Sequence, residues 1–151
     1  MRAVKRIALV VLLAVLVLPG CGGDPDPGLS PAGQLQVELL DDLYRGQFDD
    51  AYDLLHPEHQ KLVSRAHFER CARGSIPVGQ LDSIQILDVF DETTRLPALG
   101  EQATKAVRVR LRFNNGQEAT FVNHSVEVGD RWVWVLNTHA AEAYKADRCP
   151  T

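Results

Sequence analysis

The sequence predicts an α+β fold in which N-terminal helices pack on an antiparallel sheet of about four strands. Three observations carry this. Between residues 34 and 72 apolar side chains recur at three- and four-residue spacing, and between 84 and 136 they alternate. Two dipeptides, Asn115-Gly116 and Gly129-Asp130, punctuate the alternating half as turns. Helices first and strands after is the order of an α+β domain. The chain has 151 residues, 45% hydrophobic and 24% charged, which suits one globular domain plus attachments.

Residues 1–20 run from a basic start (Arg2, Lys5, Arg6) through an apolar stretch, 7–18, to Pro19-Gly20-Cys21. That order is the layout of a secretory signal peptide. The stretch is shorter than the roughly 20 apolar residues that span a bilayer core as a helix, so a cleaved leader is expected and not a permanent span. Leu18-Pro19-Gly20-Cys21 resembles the lipobox of bacterial lipoproteins, with Pro19 in place of the small or β-branched residue commonest there. The resemblance implies that Cys21 is lipidated by a diacylglyceryl group with palmitate-type chains and becomes the mature N-terminus. Two acyl chains hold where one is marginal, because each buried methylene contributes about 0.8 kcal/mol. The expected location is the extracytoplasmic face of a cell membrane, with the lipid anchor as the membrane contact. Gly and Pro dominate residues 22–33, so 21–33 reads as the lipidated cysteine and a flexible linker, and 34–151 as a single domain.

The formal net charge is −4. Removing residues 1–20 takes away three cations and no anions, leaving 13 Lys+Arg against 20 Asp+Glu, a net −7. Such a balance argues against a nucleic-acid partner, which needs a cationic surplus. Three cysteines become an even set once Cys21 is given to lipid, and Cys71 and Cys149 are then expected to form a disulfide outside the cytoplasm. There is no Cys-x-x-Cys or His-Glu-x-x-His, so no catalytic cysteine, metal site or cofactor is expected.

The first helix is expected over 34–45, where Leu35, Leu39, Leu40 and Leu43 form a stripe that Val37 and Tyr44 widen, with Gly46 as its stop. Phe48, Ala51, Tyr52 and Leu55 give a second short helix that ends before Pro57. A further turn follows over 58–63. Ser64 caps a last helix that presents Phe68, Cys71 and Ala72 on one face and stops at Gly74. His56, His59 and His67 lack ligand spacing and read as solvated or capping side chains. Asp41, Asp42, Asp49, Asp50 and Asp53 read as a solvated acidic face, with a cation site as the minor reading.

Ile84, Ile86, Val89 and Phe90 suggest a first strand, followed by a polar connection from 91 to 100 that contains Pro97. Val107, Val109, Leu111 and Phe113 alternate with Arg108, Arg110 and Arg112. Taking Asn115-Gly116 as a two-residue turn sets Val107 opposite His124, Val109 opposite Val122 and Leu111 opposite Thr120. Gly129-Asp130 likewise sets Val133 opposite Val126, Val135 opposite His124 and Asn137 opposite Val122. One face then collects Arg108, Arg110, Arg112, Phe121, Trp132 and Trp134. Two readings stand: an interface for an envelope protein or a homodimer through the sheet, or a one-residue bulge that turns the tryptophans inward.

The Phe48-Asp49-Asp50-Ala51-Tyr52 helix and the late Gly129-Asp130-Arg131-Trp132-Val133-Trp134-Val135 strand, in this element order, resemble small lipoproteins of the nuclear transport factor two-like superfamily. That superfamily is also called ketosteroid isomerase-like and shares the cystatin-like α+β fold. The resemblance implies a cone-shaped, curved sheet around the helices, with a pocket for a small apolar ligand. Its polar candidates are His124 and Asn137 from the sheet and Tyr44 and Tyr52 from the helices. Enzymes of the superfamily use a base and a hydrogen-bond donor there, which would be His124 and Tyr44. No inward carboxylate matches the base of the resembled isomerases, since Asp88 and Asp91 reach only the rim. Two functions are therefore expected as alternatives. The first is a non-catalytic, membrane-tethered lipoprotein that binds a small ligand or an envelope protein. The second is an isomerase, dehydratase or hydrolase acting on a small apolar substrate.

Overall fold

The computed structural model describes residues 26–150. The expected signal peptide, Cys21 with its expected lipid, and the first part of the linker lie outside the described residues.

Asp26 caps a 3₁₀ turn over Pro27–Leu29, and Ser30 caps helix α1, Pro31–Arg45, by accepting from the Gly33 amide at 3.0 Å. The helix therefore starts three residues before Gln34, because Ser30-Pro31 supplies a capping hydroxyl and then a ring that fits the first helical position. The residues read as the end of a linker are folded onto the domain. Gly33 is required there: a Cβ would stand 2.3 Å from the Pro27 carbonyl oxygen. At the other end Gly46, at φ 78°, donates to Leu43 while Gln47 donates to Asp42, a Schellman closure that frees the chain to turn.

Helices α2 (Phe48–Asp53), α3 (Pro57–Gln60) and α4 (Arg65–Ser75) follow the predicted order. Strands β1 (Leu81–Leu96), β2 (Gly100–Phe113), β3 (Glu118–Val128) and β4 (Arg131–Trp134) form one antiparallel sheet in sequence order. The supposed polar connection is strand as far as Leu96. Only the turn at Pro97 to Leu99 breaks it, with Ala98 at φ 60° and Gly100 at φ 73°. A last helix, α5 (Thr138–Lys145), stands where the sequence suggests only a strand end. Asn137 starts it, its side chain accepting from the Ala140 amide at 2.8 Å, so Asn137 is a cap and not a strand residue.

The β2–β3 register corrects the sequence reading. The loop has three residues, Asn114, Asn115 and Gly116; Phe113 donates to the Gln117 carbonyl at 2.9 Å, and Gly116 takes φ 83°. One extra loop residue slips the pairing by one, so that Val107 faces Asn123, Val109 faces Phe121 and Leu111 faces Ala119. A slip of one flips a strand. Phe121 and Ser125 therefore join the valines on the helix side, while Val122 and His124 join Arg108, Arg110 and Arg112 on the other. The β3–β4 turn keeps the expected pairing of Val126 with Val133, and Trp132 and Trp134 share the helix-side face with Phe121. No bulge in β4 is needed. The tryptophans and arginines belong to opposite faces, so the six-residue Arg/Phe/Trp surface does not exist as one patch.

Three cores follow. Between the helices lie Leu39, Phe48, Tyr52, Leu55, Phe68, Leu136 and Tyr144, with Trp134 packed against them. Between α1 and the sheet lie Ala32, Leu40, Ile86, Val107, Val109 and Leu111. On the opposite face Leu96 packs with Val126, Val133 and Val135, so the far end of β1 coils back over strands β3 and β4. Both the tryptophan row and the valine row of β4 are thereby covered. The β4 edge is also closed: Trp134 donates to Leu54 and its carbonyl accepts from His56.

Gln36 on α1 is wholly buried against the sheet, donating to Ser125 Oγ at 3.0 Å and accepting from Asn123 Nδ2 at 2.9 Å. Replacing it with leucine leaves Ser125 and Asn123 without that partner. We expect a loss of about 1–3 kcal/mol in urea unfolding of Gln36→Leu, with an unchanged slope.

Candidate functional site

The four polar candidates for a pocket do not converge. Tyr52 is buried in the helical core, where its hydroxyl donates toward the Val63 carbonyl at 2.9 Å and the Gln60 carbonyl at 3.1 Å. Tyr44 stands at the end of α1 against Phe113, ring centroids 5.7 Å apart, and burial pushes its pKa up, keeping the phenol protonated. It lines a notch of about 390 Å³ with Val37, Asp41 and Ile84. His124 lies on the opposite sheet face, with Nε2 2.7 Å from Glu92 Oε2. Asn137 caps α5.

A larger groove lies where the described chain begins. Its volume is about 770 Å³, within the range of small-molecule sites, and Pro27, Leu29, Ala32, Leu87, Val89 and Trp132 give it a mainly apolar wall. The 3₁₀ turn and the first turn of α1 form one side. The other side is β1, where the register shifts between Ile86 and Asp88 and leaves Leu87 as an extra residue. The sheet's own floor contributes Val89 and Trp132 from its helix-side face. Leu29 is 70% exposed on the rim, the most solvent-exposed large apolar side chain among the described residues. Asp26, Asp88 and Lys105 are the charged groups at the edge; the Lys105 ammonium is 2.6 Å from Asp91, which ties it down.

The sequence reading missed this groove because it assigned 26–33 to linker. Two signals were present. Ser30-Pro31 marks a helix start, and the adjacent apolar pair Ile86-Leu87 breaks a period-two pattern, as a bulge does.

The arginines lie on the other side of the sheet: Arg108 and Arg112 are exposed, near Asp88 (3.8 Å) and Glu118 (3.0 Å) respectively, and Val122 beside them is 40% exposed. Of the histidines, His56 caps α3 by accepting from the Glu58 amide, as expected, whereas His59 and His67 are buried and not solvated. The acidic face is partly paired, Asp41 with Arg45 and both Asp49 and Asp53 with Arg65. Burial, with Asp50 and Glu38 nearby, pushes the Asp42 pKa up.

Cys71 and Cys149 form the expected disulfide, with Cα atoms 5.2 Å apart across 78 residues. Such bridges persist in oxidising compartments, so the bond suggests an extracytoplasmic location. Among the described residues no helix is long and apolar enough to cross a membrane. No family model, curated protein or solved structure matches the chain.

Proposed function

We propose that this protein is an extracytoplasmic lipoprotein, tethered through Cys21, whose non-catalytic domain holds a small apolar molecule in the groove beside its anchored end. The observation that carries the reading is the place of the groove. Its rim begins at Asp26, five residues after Cys21, and an extended chain covers at most about 3.6 Å per residue. The groove would therefore stand within about 18 Å of the lipid and sample apolar molecules at the membrane surface. Helices packed on a four-strand antiparallel sheet support a nuclear transport factor two-like domain, though the ligand place differs from the one that resemblance implied. The enzyme reading needs His124 and Tyr44 to face one cavity, and they occupy opposite faces of the sheet.

The test is a titration of the folded domain with a fluorescent fatty acid. We expect saturable one-to-one binding that quenches tryptophan emission, because Trp132 floors the groove. Leu29→Asp puts a charge on the rim at an exposed site, where stability should change by no more than about 0.5 kcal/mol. It should weaken binding at least about tenfold, or 1.4 kcal/mol. Equal affinity in the wild type and in Leu29→Asp would sink the groove reading.

A further inference from the structure

We propose that His67, Cys71 and Cys149 form a zinc site when the disulfide between the two cysteines is reduced. The site is separate from the groove and does not depend on it.

Helix α4 places His67 and Cys71 four residues apart, hence one turn apart on one face, and both are buried. The chain leaving α5 returns Cys149 to the same spot. A ring nitrogen of His67 and both sulfurs lie within 4.8 Å of one another. Zinc takes thiolate sulfur at about 2.3 Å and imidazole nitrogen at about 2.0–2.1 Å in a tetrahedron, so these atoms need only small shifts once the sulfurs part.

His67 supplies the independent observation. Its Nδ1 lies 3.4 Å from Asp147 Oδ1, and Tyr144 stands edge-on to the ring at 5.4 Å. A carboxylate on one ring nitrogen is how ligand histidines are held, leaving the other nitrogen for the metal. That other nitrogen, Nε2, is buried without a hydrogen-bond partner among the described residues, on a side chain only 8% exposed. A buried polar atom with nothing to bond is rare in folded proteins. A metal ion would satisfy it.

The chemistry balances with a dithiol as reductant. Its thiolate attacks the sulfur of Cys149, the exposed partner, and Cys71 leaves as a thiolate. The second thiol of the reductant then displaces Cys149, giving a protein dithiol and an oxidised reductant. Zinc binding releases the two thiol protons to solvent, His67 adds a neutral nitrogen, and water takes the fourth position. Two thiolates and an imidazole form a soft donor set suited to zinc. In the oxidised protein the sulfurs are bonded to each other and the site is closed. Zinc would thus hold the C-terminal tail on α4 in the reduced state, as the disulfide does in the oxidised one.

The experiment reduces the full mature chain with a phosphine, removes the reagent anaerobically and titrates with Co²⁺, then Zn²⁺. The expected result is one equivalent of Co²⁺ with a thiolate-to-metal charge-transfer absorption that Zn²⁺ abolishes, and no such band in the oxidised protein. His67→Gln should weaken zinc about 100-fold and Asp147→Asn about tenfold, with circular dichroism reporting that each stays folded. The proposal is overturned if reduced protein gives no charge-transfer band. It is equally overturned if His67→Gln binds zinc as tightly as wild type, or if reduced protein unfolds and zinc does not restore it.

Discussion

Replacing Cys71 and Cys149 together with alanine should cost about 4 kcal/mol, because the bridge closes a 78-residue loop. On the chain-entropy account the bridge acts by restricting the unfolded chain, so most native contacts should survive its removal. Cys71 is buried in the helical core beside Phe68 and Ala72, and alanine there removes only a sulfur. Besides the bridge, the exposed tail from Ala146 to Cys149 is held by the amides of Ala146, Asp147 and Arg148, which donate to carbonyls of α5, and by Asp147 beside His67 and Arg70. We expect the double variant to fold with native far-UV circular dichroism and to melt at least about 10 °C lower, since each kcal/mol shifts a domain of this size by a few degrees. Hydrogen exchange should quicken first in α5. A shift under about 1 kcal/mol would mean that the unfolded chain is already compact around this pair.

His59 carries the second large effect. It is wholly buried and joins three parts of the fold: from α3 its Nε2 donates to the Pro97 carbonyl at 2.7 Å, and its Nδ1 accepts from the Leu136 amide at 2.8 Å. These partners assign the neutral ring with its proton on Nε2. The β1–β2 turn is thereby clamped to the start of the C-terminal segment. His59→Leu leaves a carbonyl and an amide without partners, at about 1–3 kcal/mol each, so unfolding free energy should fall by about 2–6 kcal/mol.

Burial pushes the His59 pKa below its ordinary value of 6.5, and the Leu136 N–H already occupies the nitrogen that would take a proton. The unfolded chain, with an ordinary histidine, binds a proton first as pH falls. Stability is therefore full above about pH 6.5 and declines below it, by up to about 1.4 kcal/mol per pH unit, until the folded pKa is passed. His56, also lowered by burial but more exposed, acts in the same direction with less weight. Chemical denaturation between pH 7.5 and 5 should show this slope in the wild type and a shallower one in His59→Leu. Equal slopes would remove His59 from the account.

The class of the fold was legible because periodicity reports burial. The stripe of Leu35, Leu39 and Leu40 and the alternation of Val107, Val109 and Leu111 mark buried faces, and the structure buries all six, Leu39 between the helices and Leu40 against the sheet. Register was not legible, since Asn115-Gly116 suits a two-residue turn as well as the three-residue loop that includes Asn114. Only packing decides, by placing Phe121 and Ser125 under α1. Helix α5 was hidden because alternation from Arg131 to Leu136 runs into Asn137 without a break, although Asn before an alanine-rich run is a cap signal. The disulfide could be found by counting. The helix start behind the 3₁₀ turn and the bulge at Leu87 each left a local signal, but nothing along the chain shows that the turn folds back over the bulge and brings Leu29 and Leu87 together across 58 positions. His59 looked like a surface residue because nothing in its neighbourhood along the chain shows that Pro97 and Leu136 converge on it.

The proposed tether is tested most directly by the intact mass of the protein extracted from its own membranes. The account predicts a chain that begins at Cys21 and carries a diacylglyceryl group, lacks residues 1–20 and has Cys71 and Cys149 oxidised. A chain that keeps residues 1–20, or an unmodified Cys21 in the soluble fraction, would contradict it.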